Sequence, residues 1–239
     1  MTKWVEYFDS LRQNSALYGL QSAAYVASLT AALPLRPSDR VLDFGCGFGL
    51  VASHLAPYVG EIWLWDPAPN MRAAARRNTA HLSNVKICDL PPVEHVGARR
   101  TIPLPRVDVI LVNSVVQYMS LAELGAWLER WRTLLVPDGT LVLSDLIATD
   151  HSDVADTLDL LIFGARHRTP IRTISQAIGG VLRYVRMRHA RSLTRLDPGE
   201  LARLSAVAGF SSGALPNNLT HLRHRWTAVL KPWPTTESI

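Results

Sequence analysis

The sequence predicts an α/β fold built on a parallel sheet. Short apolar runs alternate with helical stretches between residues 40 and 146. The first run stops at a glycine-rich turn, Asp43-Phe44-Gly45-Cys46-Gly47-Phe48-Gly49, and later runs end in Asp66, Asp89 and Asn113. Strand-helix alternation of this kind implies parallel strands joined by right-handed crossovers. Ligands of such sheets bind at the carboxyl ends of the strands, where these polar residues fall.

The elements follow in order. Residues 1–33 read as helical, with apolar residues recurring at Trp4, Phe8, Leu11 and Leu17 and again at Tyr25, Val26 and Leu29, until Pro34 and Pro37 end the region. RVLDFGCGFG is a buried strand that turns sharply into the helix LVASHLAPYV. EIWLWD (61–66) is a second strand, followed by a helix around Met71–Ala80. NVKICD (84–89) is a third strand and VDVILVN (107–113) a fourth, its continuous apolar character suiting a strand covered on both faces. LAELGAWLERWRTLL (121–135) is an amphipathic helix, and PDGTLVLSD (137–145) is a turn plus a fifth strand. Residues 147–195 break the rhythm and read as an inserted helical lid. DPGELARLSAVAGF (197–210) returns to a helix ending at Gly209, and GFSSGAL with LTHLRHRWTAVLK closes the chain as an antiparallel pair that carries His221 and His224 in its last strand. The organisation expected is one domain over 1–239: N-terminal helices (1–33), a cofactor-binding core (34–146), the lid (147–195), and a C-terminal helix and hairpin (196–231).

Composition narrows the function classes. Of 239 residues, 48% are hydrophobic and 19% charged, which provides for a core and argues against a disordered chain. The net charge of +5 is too mild to indicate nucleic acid by itself. The charged amino terminus lacks the apolar core of a signal peptide, and no run approaches the roughly 18 apolar residues of a membrane span. The two cysteines, Cys46 and Cys88, make no disulfide framework and no metal-ligand spacing. A cytoplasmic setting and no metal are therefore expected.

The glycine turn is the sharpest signal. Glycine lets the backbone bend and lets a ligand approach it closely. The spacing is G-x-G-x-G with Leu at position 50, so the dinucleotide pattern G-x-G-x-x-G is not met. Asp43, two residues before the first glycine, suits a cationic ligand group better than a pyrophosphate. Asp66, 23 residues on, can accept hydrogen bonds from both ribose hydroxyls of a nucleoside. Asp89 can face an adenine amino group, and Asn113 and Ser114 stand where strand order should reverse. A nucleoside cofactor carrying positive charge and no phosphate fits this set: S-adenosylmethionine.

VLDFGCGFG resembles the first motif of class I S-adenosylmethionine-dependent methyltransferases, and WDPAPNM their second. PDGTLVLSD is similar to their fifth strand, and AGF with RWTAVLK to their terminal hairpin. The resemblance covers residues 40–145 and 197–231. It implies a Rossmann-like seven-stranded, mostly parallel sheet in the order 3-2-1-4-5-7-6, with the seventh strand antiparallel and helices on both faces. It also implies that Asp43 with the loop Gly45, Cys46, Gly47 and Gly49 holds the methionine moiety, Asp66 the ribose and Asp89 the adenine, with Met71 near the adenosine and Pro67 and Leu90 also at the cofactor. NSVVQYM (113–119) resembles a stretch of the N-methyltransferase domains of peptide synthetases, from which Met119 and Ser120 depart.

Methyl transfer needs alignment and exclusion of water, with a general base only where the acceptor is a poor nucleophile. Candidates for catalysis are His151, Gln117 and Tyr118, with Asp145 and Asp150 beside them. His151 is the best base by chemistry, although TDHSD (149–153) reads equally as a helix start capped by Asp150 or Ser152. Tyr18 and Tyr25 either line a substrate mouth or pack the first helices. Eight arginines between Arg166 and Arg195 (166, 168, 172, 183, 186, 188, 191 and 195) run without an acid among them. They form a solvated face or a lid for an anionic or carrier-bound acceptor. The expected activity is methylation of a small molecule at oxygen or nitrogen, yielding S-adenosylhomocysteine. RNA, or a carrier-bound acyl or peptidyl group, is the alternative acceptor.

Overall fold

The computed structural model describes residues 2–9, 16–90, 104–150, 153–167 and 193–234. His151 and all the insertion's arginines except Arg166 and Arg195 lie outside them. The elements, in chain order, are α1 (Thr2–Asp9), α2 (Ala16–Ala32), β1 (Arg40–Phe44), α3 (Leu50–Leu55), β2 (Glu61–Trp65), α4 (Pro69–Thr79), β3 (Val85–Ile87), β4 (Val107–Asn113), α5 (Leu121–Leu134), β5 (Leu135–Leu146), α6 (Asp153–Arg166), α7 (Pro198–Val207), β6 (Phe210–Ala214) and β7 (Trp226–Pro232). Among the described residues no helix is long and apolar enough to cross a membrane.

The strands form one seven-stranded sheet in the order β3-β2-β1-β4-β5-β7-β6. The pairs from β3 to β5 are parallel, and β7 runs antiparallel to both β5 and β6. This is the order that the motif resemblance implies. Alternation along β1 sends Leu42 and Phe44 to one face and Val41 to the other. The first face packs on α5 and α7, with Phe44 and Trp65 against Trp127 and Trp131. The second packs on α2 and α3 through Tyr25, Leu29, Ala52 and Leu55, with Ala75 of α4.

Local chemistry sets the ends of α5. Ser120 Oγ accepts from the Glu123 N–H at 3.2 Å, and a Glu123 carboxylate oxygen accepts from the Ser120 N–H at 2.8 Å. This reciprocal cap satisfies donors that a helix start leaves open. Leu124, Trp127, Leu128, Trp131 and Leu134 then make the buried stripe.

Three readings of the sequence are corrected. β5 begins at Leu135, because Leu135 pairs with Val107 and the segment of exposed Pro137 and Asp138 with buried Gly139 bulges out before pairing resumes at Thr140. β3 stops at Ile87, leaving Asp89 beyond the last ladder bond, Cys88 N–H to Leu64 O. His221 and His224 precede β7 rather than lying in it. The loop before Trp226 spends its polar groups on side-chain partners instead of a ladder.

Candidate functional site

A cavity of about 280 Å³ opens at the carboxyl ends of β1, β2 and β4. Gly45, Cys46, Gly47 and Phe48 of the glycine turn line it, whereas the predicted Gly49 does not. Gly45, Gly47 and Gly49 have φ of 78°, 52° and 73°, a region open to glycine and strained for other residues. Gly45 and Cys46 donate their N–H groups to the Trp65 carbonyl at 2.7 and 3.0 Å, which locks the turn to the end of β2. At Gly45 any Cβ would run into the Val115 side chain. At Gly49 it would lie 3.0 Å from the Ala75 Cβ, so this glycine serves the approach of α3 to α4.

Two of the three acids predicted for the cofactor, Asp43 and Asp66, face the cavity. Asp66 Oδ2 accepts from the Gly47 N–H at 2.9 Å, and Oδ1 accepts from the Ala68 N–H at 2.8 Å. Burial raises its pKa, and the two backbone donors offset part of that effect. Asp43 is buried, and its Oδ2 has no hydrogen-bond partner. Burial first, and the charge of Asp66 second, push its carboxyl up to about 7. Asn113 Oδ1 is likewise buried without a partner at the end of β4. No basic side chain lines the cavity among the described residues. Two acids and two unpartnered oxygens make a site for a ligand rich in donors and positive charge. A phosphate would meet repulsion.

The other predicted residues divide. Cys46, Pro67, Met71, Ser114 and Tyr118 line the cavity with those acids. Asp89 and Leu90 do not: Leu90 is in the core, and the exposed Asp89 carboxylate lies 3.5 Å from Arg72 Nε. Gln117 is buried, with its side chain outside the lining. Asp145 is also buried away from the cavity. Burial would raise its pKa, but Arg225, Ser114 and Thr220 outweigh burial and hold it below the ordinary value, which unsuits it as a base. Asp150 is exposed in a turn. Tyr18 lines the cavity, whereas Tyr25 is core and meets Ser144 Oγ through its hydroxyl at 3.2 Å.

Sequence reasoning missed the aromatic roof. Trp4, Val5 and Phe8 of α1 line the cavity, and Trp4 and Phe8 pack on Tyr118 at centroid distances of 4.7 and 5.0 Å. Asp9 holds α1 down: its Oδ1 accepts from the Asn70 N–H at 2.7 Å, and Asn70 Nδ2 donates to Asp9 Oδ2 at 3.0 Å. The i, i+4 spacing of Trp4 and Phe8 was the available signal.

Residues 42–141 match a family model described as a methyltransferase domain. Over those residues the chain is similar to methyltransferase domains. The glycine turn, Asp66 and strands β2 to β4 fall inside that match, which begins within β1 at Leu42. The ubiquinone biosynthesis O-methyltransferase of Bradyrhizobium diazoefficiens is 32% identical over 109 residues, 45% of this chain and 40% of that one. Its counterpart from Azorhizobium caulinodans is 28% identical over 195 residues, 80% and 68% of the two chains. The chain spans about two fifths of the length of the first curated relatives it matches. Among solved structures, magnesium protoporphyrin IX methyltransferase from Synechocystis PCC 6803 with bound S-adenosylmethionine superposes with a TM-score of 0.57. It is 16% identical and covers 96% of this chain and 94% of that one. This chain thus shares its fold with proteins of low sequence identity.

Proposed function

We propose that the chain is an S-adenosylmethionine-dependent methyltransferase acting on a small molecule at oxygen or nitrogen. One observation carries the reading: the unpartnered Asp43 carboxylate, the glycine turn and Asp66 share a cavity lined by no described basic side chain. When bound, the cofactor supplies an electrophilic methyl group and leaves as S-adenosylhomocysteine. Asp43 and Asn113 would accept from its ammonium end. The free lone pairs of Asp66 would accept from the ribose hydroxyls, with Pro67 and Met71 alongside and Ser114 near the transfer end. Asp89 and Leu90 would reach the adenine only from outside the cavity rim. Trp4, Phe8 and Tyr118 exclude water from the space where the acceptor meets the methyl group.

Oxygen is favoured as the acceptor atom by the two relatives that are O-methyltransferases by name. An anionic or carrier-bound acceptor is the finer reading, resting on the arginines of 166–195. Of the two described, Arg166 is exposed and Arg195 donates to the Thr149 carbonyl at 2.9 Å. Residues 147–195 would form its cover, in one domain with the rest. His151 would be the base if the acceptor needs one. The cytoplasm suits the buried free thiols of Cys46 and Cys88. Calorimetry with S-adenosylmethionine, S-adenosylhomocysteine and NAD tests the proposal. Binding of the first two alone is expected, and tight NAD binding without them would overturn it.

A further inference from the structure

Two described non-glycine residues have left-handed backbones: Ser114 (φ 58°) and Asp145 (φ 68°). They follow the paired residues Asn113, the last of β4, and Ser144, two residues before the end of β5. Ser114 Oγ donates to Asp145 Oδ2 at 2.7 Å, and the Ser114 N–H donates to the Ser144 carbonyl at 3.1 Å. Asp145 falls where the β5–β7 register shifts, a bulge that re-aims its side chain. Such conformations persist only where the surroundings over-determine them.

The surroundings here are charged and buried. Asp145 Oδ2 accepts from Arg225 Nη1 at 2.9 Å, and Oδ1 accepts from Thr220 Oγ1 at 2.9 Å. Arg225, itself buried, forks onto Asp156 of α6, with Nη2 to Oδ2 at 2.6 Å and Nε to Oδ1 at 3.3 Å. One path of polar contacts therefore runs from the cavity through Ser114, Asp145 and Arg225 to α6. A buried ion pair of this kind is weak evidence of stability alone. Its geometry says more, because it joins a strained cavity residue to the helix at the start of the insertion.

We infer that Arg225 and Asp156 are positioning residues for the cofactor site, setting Ser114 through Asp145 and so coupling the placement of α6 to cofactor affinity. The inference rests on the methyltransferase reading. A double-mutant cycle tests it, with S-adenosylhomocysteine affinity measured by calorimetry on wild type, Ser114→Ala, Asp156→Asn and the double variant, and urea unfolding measured in parallel. Asp156→Asn is expected to weaken binding about fivefold in the wild-type background and by less than twofold beside Ser114→Ala. Arg225→Lys, which keeps the charge but loses the fork, should weaken binding by a similar factor while remaining folded. A merely structural Asp156 would weaken binding equally in both backgrounds, and that additivity would overturn the inference. Unchanged affinity in a folded Asp156→Asn would do the same. Failure of the wild type to bind either sulfonium cofactor or product would instead overturn the functional reading, and this inference with it.

Discussion

Asp66 and Gly47 are joined across two strand ends: the acid that closes β2 accepts the N–H of the glycine turn that closes β1, at 2.9 Å. The carboxylate that would meet the ribose is therefore also a brace of the turn. Asp66→Ala removes both functions. Each hydrogen bond to a charged group is worth about 1.5–3 kcal/mol. The variant is expected to lose at least tenfold in cofactor affinity and about 1–3 kcal/mol in stability, read by calorimetry and urea unfolding. Unchanged stability would show that the turn holds itself.

In the proposed reading, Asp43 should make cofactor binding depend on pH. Its carboxyl titrates at about 7, so a cationic ligand must displace a proton below that pH. Affinity for S-adenosylmethionine should rise about tenfold per pH unit between pH 5.5 and 7 and then level off. The profile of Asp43→Asn should be flat and weak. Calorimetry in buffers of different ionisation enthalpy counts the proton released.

The same acid costs stability. Its folded pKa stands above the unfolded one, so the folded state holds the extra proton and stability falls as pH rises from about 4 to about 7. Ligand-free Asp43→Asn should be more stable than wild type by a few kcal/mol above neutrality, and the difference should vanish near pH 3. Thermal unfolding at several pH values checks this, and an unstable Asp43→Asn at pH 8 would contradict it.

Gly45 and Gly47 differ in what surrounds them. A methyl at Gly45 meets Val115, whereas nothing lies within 4 Å of one at Gly47. Gly47→Ala should cost only its left-handed backbone, about 1–2 kcal/mol. Gly45→Ala should cost that and about 1–3 kcal/mol more for overpacking. Adding Val115→Ala should recover the second part alone, as urea unfolding would show.

The clasp between Asp9 and Asn70 tests the roof. Asp9→Ala removes its bonds at an exposed site, so stability should change by less than about 1 kcal/mol. Release of S-adenosylhomocysteine should speed up several-fold in stopped-flow displacement. An unchanged release rate would mean that the aromatic contacts to Tyr118 hold α1 alone.

Most of the sheet was legible because its signals are local. Apolar runs, the glycine spacing, and acids at strand ends placed Asp43, Asp66 and Asn113 at one edge without any knowledge of contacts. Asp145 was misread because its neighbours are distant in sequence. It stood as a possible base, while its pairing with Arg225 spans 80 positions and has no local signature. Asp89 was placed by analogy of position. The early end of β3 leaves it exposed, a tertiary outcome that strand propensity does not encode. The roof failed for a third reason, since an apolar helix face says that something is covered but not what.

The insertion of β7 between β5 and β6 has a consequence for the nascent chain. When β5 leaves the ribosome, β4 occupies one of its edges and the other stays open until residues 226–232 are made. Until then the apolar Leu141-Val142-Leu143 stretch offers unpaired backbone to any neighbouring chain. The half of the sheet that carries Asp43 and Asp66 can assemble as it is synthesised, but Ser114 and Asp145 must wait for Thr220 and Arg225. The vulnerable interval in making this protein is thus the translation of residues 147 to 232, when a chaperone covering β5 would help most.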